Sequence, residues 1–141
     1  MRIMAIDYGD AHTGIAVSDP TGFLAGFTTV IDAYRPDIVA ERIALLAREH
    51  GAERLVLGHP INMDGTRGPR SEKAQAMRQL LEETTGLPVV LWDERRTTID
   101  AHQILMSSGK NAKKRKKVVD AVAASLILEG YLTYLKNHPE G

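Results

Sequence analysis

RIMAIDYGDAHTGIAVSD, residues 2–19, decides the fold. Its first six residues are a short, nearly continuous apolar run, the pattern of a strand buried on both faces. The run stops on an acid, Asp7. YGDAHTG follows, a turn with two glycines, Gly9 and Gly14. Strand character resumes at GIAVSD, 14–19, and FLAGFTTVI, 23–31, predicts a third strand. The connections are short enough for antiparallel hairpins, so the chain opens as a three-stranded meander.

The pattern then alternates. Pro36 suits a first helical turn, Val39, Ile43 and Leu46 recur at helical spacing, and Gly51 stops the segment. RLVLGH, 54–59, predicts a fourth strand. The polar loop PINMDGTRG leads to Pro69 and a helix to about Glu83, which Gly86 and Pro88 close. VVLWDE, 89–94, predicts the fifth strand, with Trp92 in the core. Thr97 and Asp100 fit a capping box and predict a helix to about Met106. A last helix is expected over roughly 116–135. Helices between strands favour parallel pairing through right-handed crossovers. The expected class is α/β: a five-stranded mixed sheet, the antiparallel meander plus two parallel strands, with helices on both faces. Ligands in such sheets sit beyond the C-terminal ends of the parallel strands.

Composition narrows the class. The chain has 141 residues, 43% apolar and 26% charged, which suits one soluble globular domain. That domain is expected over 1–138, with 139–141 a short C-terminal tail. No apolar run is long enough to span a bilayer, and Asp7 comes before any signal-peptide core could form, so no membrane association is expected. With no cysteine there is no disulfide framework and no thiolate metal site. Acids and bases balance at 18 each, yet six of the bases fall in KNAKKRKK, 110–117. A dense cationic run in a neutral chain is either a solvated loop or a polyanion contact.

The acids sit where a ligand would be. Asp7 ends the first strand, and Asp93 and Glu94 end the fifth. Successive strand side chains point to opposite faces, so only one of the latter two can point inward. Asp120 lies on an otherwise apolar helix beside Ala123, Ala124 and Ile127; a carboxylate there needs a cation, unless it sits in the helix's first turn and is favoured by the dipole. Three carboxylates from distant positions suit a hard metal ion such as Mg²⁺. In the loop after the fourth strand, Asn62 is placed to hydrogen-bond a phosphate or base, and Arg67 or Arg70 to pair with a phosphate. Arg95 suits a bidentate phosphate clamp. Lys113, Lys114, Arg115, Lys116 and Lys117 would attract a nucleic-acid backbone. His59 is a weak candidate for a general base. Neither a P-loop nor a GxGxxG motif is present.

Taken together, DYGDAHTGIAVSD, GHPINMDG, DERRTT and KKVVDAVAASLILEGYL resemble, in this order, the YqgF/RuvX-like family, described both as pre-16S rRNA nucleases and as Holliday junction resolvases. The resemblance spans Asp7 to Leu132. It implies an RNase H-like fold and metal-dependent hydrolysis of phosphodiester bonds in the cytoplasm, linked to maturation of the 16S rRNA 5′ end during ribosome biogenesis. It maps the family's acids onto Asp7, Glu94 and Asp120, and so selects Glu94 over Asp93. These three would be both catalytic residues and ligands of one or two Mg²⁺ or Mn²⁺ ions. The implied partners are pre-16S rRNA, with branched DNA as the alternative, and ribosomal precursors; the chain would act as a monomer or weak homodimer. Two departures stand out. The first loop reads GDAHTG where the family carries GTKxxG-like residues, which removes a cation there. The fourth strand ends in GHP where GLP is usual. The competing readings are a Holliday junction resolvase-like DNA nuclease and a non-catalytic nucleic-acid-binding protein. An actin-like ATPase ranks last, because one domain lacks the second lobe needed to close on nucleotide.

Overall fold

The computed structural model describes residues 1–19, 25–59, 68–93 and 112–138. Its elements are β1 (Ile3–Asp7), β2 (His12–Ser18), β3 (Ala25–Asp32), α1 (Pro36–His50), β4 (Arg54–His59), α2 (Pro69–Thr85), β5 (Val89–Asp93) and α3 (Ala112–Asn137). The five strands form one sheet in the order β3-β2-β1-β4-β5. β1 with β2 and β2 with β3 are antiparallel, whereas β1 with β4 and β4 with β5 are parallel. This is the expected mixed sheet.

β1 is central, which explains its unbroken apolar run. Met4 and Ile6 pack against α1 and α2, with Val39 and Ile43 from the first helix and Met77 and Leu81 from the second. Ile3 and Ala5 face the other way, toward Ala124, Ile127, Leu128 and Tyr131 of α3. Each fully buried aliphatic side chain contributes roughly 1.5–3 kcal/mol, so both layers hold the sheet. On the α3 side β1 and β2 carry the small residues Ala5, Gly14 and Ala16, and the helix backbone comes close at Gly14.

The helix ends follow the sequence signals. Pro36 and Pro69 each occupy the first turn of their helix. Gly51 takes φ 66°, and a Schellman pair closes α1: Gly51 N donates to the Arg48 carbonyl and Ala52 N to the Ala47 carbonyl. The Ser18 hydroxyl accepts from Ile3 N at 2.9 Å, tying the end of β2 to the start of β1.

Two expectations change. β2 begins at His12, two residues before the expected start, because the ladder continues past Gly14 to pair His12 with Asp32. α3 begins at Ala112, so Lys113–Lys117 belong to its first turns, not to a loop before it. Lysine and arginine are good helix formers and extend the apolar segment backward. Asp120 is thereby the ninth residue of the helix, beyond reach of the first-turn dipole. The helix expected from Thr97 to Met106 lies outside the described residues.

Candidate active site

Strand alternation sets the direction of Asp7. Ile3 and Ala5 face α3, so Asp7, the last residue of β1, faces α3 as well. Its partner across the antiparallel ladder is Gly14. A Cβ built on Gly14 would overlap the carbonyl oxygen and carbon of Asp120. The helix backbone therefore lies directly on the glycine, and Asp7 and Asp120 flank one residue. The Asp120 side chain is half-buried, and its Oδ2 is shut off from solvent.

Beyond Asp7 the chain turns, and that turn forms one wall of a cleft of about 260 Å³. Tyr8, Asp10 and His12 line it from the turn, Arg70 and Lys73 from the first turns of α2, and Asp120 from α3. Lys73 Nζ donates to Asp10 Oδ1 at 2.8 Å. That hydrogen bond, and the charge behind it, hold the Asp10 carboxyl below its ordinary range and the Lys73 ammonium above its own. The first loop lacks the lysine of the family pattern, and Lys73 brings an ammonium to that loop from α2. His12 Nδ1 lies 2.6 Å from Asp32 Oδ1 across the β2–β3 ladder. Burial raises the Tyr8 hydroxyl, with Asp10 adding to the effect, so it stays protonated near neutral pH.

The other candidates divide. Glu94, Asn62, Arg67 and Arg95 lie outside the described residues, as do the side chains of Lys113, Lys114, Arg115, Lys116 and Lys117. Among the described residues no three His, Asp or Glu side chains gather to hold a metal; Asp7 and Asp120 have Gly14 as their common neighbour, and the third expected acid lies outside those residues. Asp93 pairs with His59 in register and follows Leu91, which packs toward α1 and α2; it faces away from Asp7. His59 faces the same way, is 6% exposed, and lies with Nε2 2.6 Å from Ser71 Oγ on α2. Trp92 packs in the α3 layer, edge-on to Tyr131 and against Gly130. Tyr8, Asp10 and His12 lie within the DYGDAHTGIAVSD motif without having been singled out there, and Lys73 belongs to no motif. The one sequence signal is the i, i+3 spacing of Arg70 and Lys73, which puts two cations on one helical face after a polar loop.

The profile of a family described as RuvX, Holliday junction resolvase, matches residues 1–134. This chain belongs to the RuvX family. Its RuvX relatives include a protein of Bacillus licheniformis, 45% identical over 139 residues, covering 97% of this chain and 100% of that one. Another, from Bacillus subtilis, is 43% identical over 137 residues and covers 96% and 99%. Both bear the name "Putative pre-16S rRNA nuclease". Among solved structures, RuvC of T. thermophilus in complex with a Holliday junction substrate aligns with a TM-score of 0.63 at 16% identity, covering 97% of this chain and 96% of RuvC. The large terminase nuclease of thermophilic phage G20c aligns with a TM-score of 0.57 at 12% identity, over 93% and 81%. The RuvX chain thus has the RNase H-like fold of RuvC. No helix among its described residues is long and apolar enough to cross a membrane.

Proposed function

We propose that this RuvX protein is a divalent-metal-dependent endonuclease that acts on pre-16S rRNA in the cytoplasm, trimming its 5′ end in association with ribosomal precursors. The observation that carries the reading is the placement of Asp7 and Asp120 on either side of Gly14, beside a cleft that also holds Arg70 and Lys73. Acids beside cations are what a phosphodiester and a hard cation require together.

The donor set fits Mg²⁺ or Mn²⁺, because carboxylate oxygens are the ligands such ions take. Asp7, Asp120 and Glu94 would hold the metal. The family mapping supplies Glu94 as the third of these ligands. When bound, the metal acidifies water and offsets charge on phosphoryl oxygens. The chain does the rest. Gly14 lets α3 bring Asp120 alongside Asp7. Lys73 and Arg70 draw the phosphate into the cleft, and the basic first turns of α3, with Asn62 and Arg95, hold the flanking backbone without reading sequence.

The family description favours a second substrate, a four-way DNA junction. One assay separates the two. A 16S precursor fragment and a four-way junction are incubated with wild type and Asp7→Asn in Mg²⁺, Mn²⁺ or EDTA. The expected result is cutting of the RNA by wild type, with metal only. Cutting of the junction alone would move the substrate to DNA; equal cutting in EDTA would remove the metal mechanism. A protein that only binds would cut neither.

A further inference from the structure

A second hollow, of about 250 Å³, opens on the far side of the Asp10–Lys73 pair. It shares Tyr8, Asp10 and Lys73 with the acid-lined cleft, so the two adjoin across these residues. Its character differs. Tyr8 and Tyr34 supply aromatic rings, and Pro36, Met77 and Leu80 supply apolar surface. Tyr34, between β3 and α1, is 80% exposed, an aromatic that the core does not use. The volume exceeds the roughly 150 Å³ that seats a benzene ring. A flat aromatic body carrying a negative charge on the Lys73 side would match each of these features, and that describes one nucleotide of a single strand.

We infer that this hollow takes an unpaired nucleobase of the substrate, stacked on Tyr34 and Tyr8, while Lys73 holds the phosphate that links it to the cleft. The inference rests on the nuclease reading and narrows the substrate to a strand unpaired beside the cut. A base held in a duplex cannot reach a pocket set behind a phosphate contact without leaving its stack. Stacking on an exposed aromatic is sequence-tolerant, because every base has a π-face.

The test measures binding without cutting. Fluorescence polarisation in EDTA follows a short labelled single-stranded RNA, the same RNA carrying abasic sites, and a duplex of equal length. Tyr34→Ala should weaken single-strand binding on the order of tenfold, and Tyr34→Phe should preserve it. Abasic RNA should bind wild type as weakly as intact RNA binds Tyr34→Ala, with no further loss when both changes are combined. Duplex binding should not respond to Tyr34→Ala. Unchanged single-strand binding by Tyr34→Ala, or an equal loss on the duplex, would overturn the base pocket. Failure of wild type to cut any nucleic acid with metal would instead overturn the nuclease reading, while the binding series still decides the pocket.

Discussion

Gly14 and Asp120 touch through their backbones: the helix carbonyl occupies the space that a methyl group on the glycine would need. The obstacle is main chain, so no rotamer change relieves it. Gly14→Ala should force β2 and α3 apart where the Asp120 backbone lies on the ladder partner of Asp7. Overpacking of this kind costs about 1–3 kcal/mol. Urea denaturation should show a loss of at least that size. Gly130→Ala is the control, since the nearest atoms its added methyl would meet belong to the Trp92 side chain, at 3.3 Å. It should cost less and leave cleavage near wild type, whereas Gly14→Ala should lose cleavage even where it remains folded.

Asp7 and Asp120 should respond to metal together. A ligand that binds only the native state stabilises by about 2.7 kcal/mol at a hundred times its Kd. Thermal melts of wild type should therefore rise with Mg²⁺ or Mn²⁺. Asp7→Asn and Asp120→Asn should each flatten that response and lower cleavage by more than about a hundredfold, since even outer-shell changes cost ten- to a hundredfold. A metal-dependent rise in Tm that survives both substitutions would remove these residues from the site.

The Asp10–Lys73 pair sets a pH window. Asp10 is held below its ordinary value of 3.8 chiefly by the hydrogen bond from Lys73, so its share of stability is complete above that value and is lost as pH falls through the lowered one. Lys73 is held above its ordinary 10.5 by the same bond, so its share is complete below that value and fades as pH rises through the raised one. Carboxyl NMR should show the Asp10 midpoint return toward 3.8 in Lys73→Gln. Between the limits Asp10 competes with substrate phosphate for Lys73. Asp10→Asn should therefore tighten nucleic-acid binding, and Lys73→Gln should loosen it and reduce its salt dependence.

The sheet is legible in the sequence because its central strands are buried on both faces and its turns carry glycine and proline. β4 over Arg54–His59 and α1 from Pro36 follow directly from pattern. The start of α3 is not legible, because a run of lysines reads equally as a solvated loop and as good helix formers. Asp7 and Asp120 stand out as acids against apolar neighbours. That Gly14, opposite Asp7 in the ladder, seats the α3 backbone at Asp120 is a tertiary fact: a glycine in a turn-rich stretch looks like a turn residue, and only the helix lying on it shows otherwise. Lys73 and Tyr34 are ordinary exposed residues until β1, α1 and α2 bring them to one edge.

His59 marks the other departure from the family pattern, and its environment gives a paired prediction. It is buried, and its Nε2 lies 2.6 Å from the buried Ser71 Oγ, which also accepts from Gln75 Nε2 at 3.2 Å. Ser71→Ala leaves a buried imidazole nitrogen without this bond, and His59→Leu removes the same bond from the hydroxyl side. Losing one such hydrogen bond costs about 0.5–1.5 kcal/mol net, while replacing both partners by apolar groups is often close to neutral. Each single variant should lose stability by about that amount in urea, and the double variant should lose less than the two together, a coupling of about 0.5–3 kcal/mol. Both side chains face away from Asp7, so the double variant should also cut substrate at the wild-type rate. Strict additivity would mean that the bond contributes nothing beyond its parts, and a loss of cutting in the stable double variant would give this bond a role in holding the cleft.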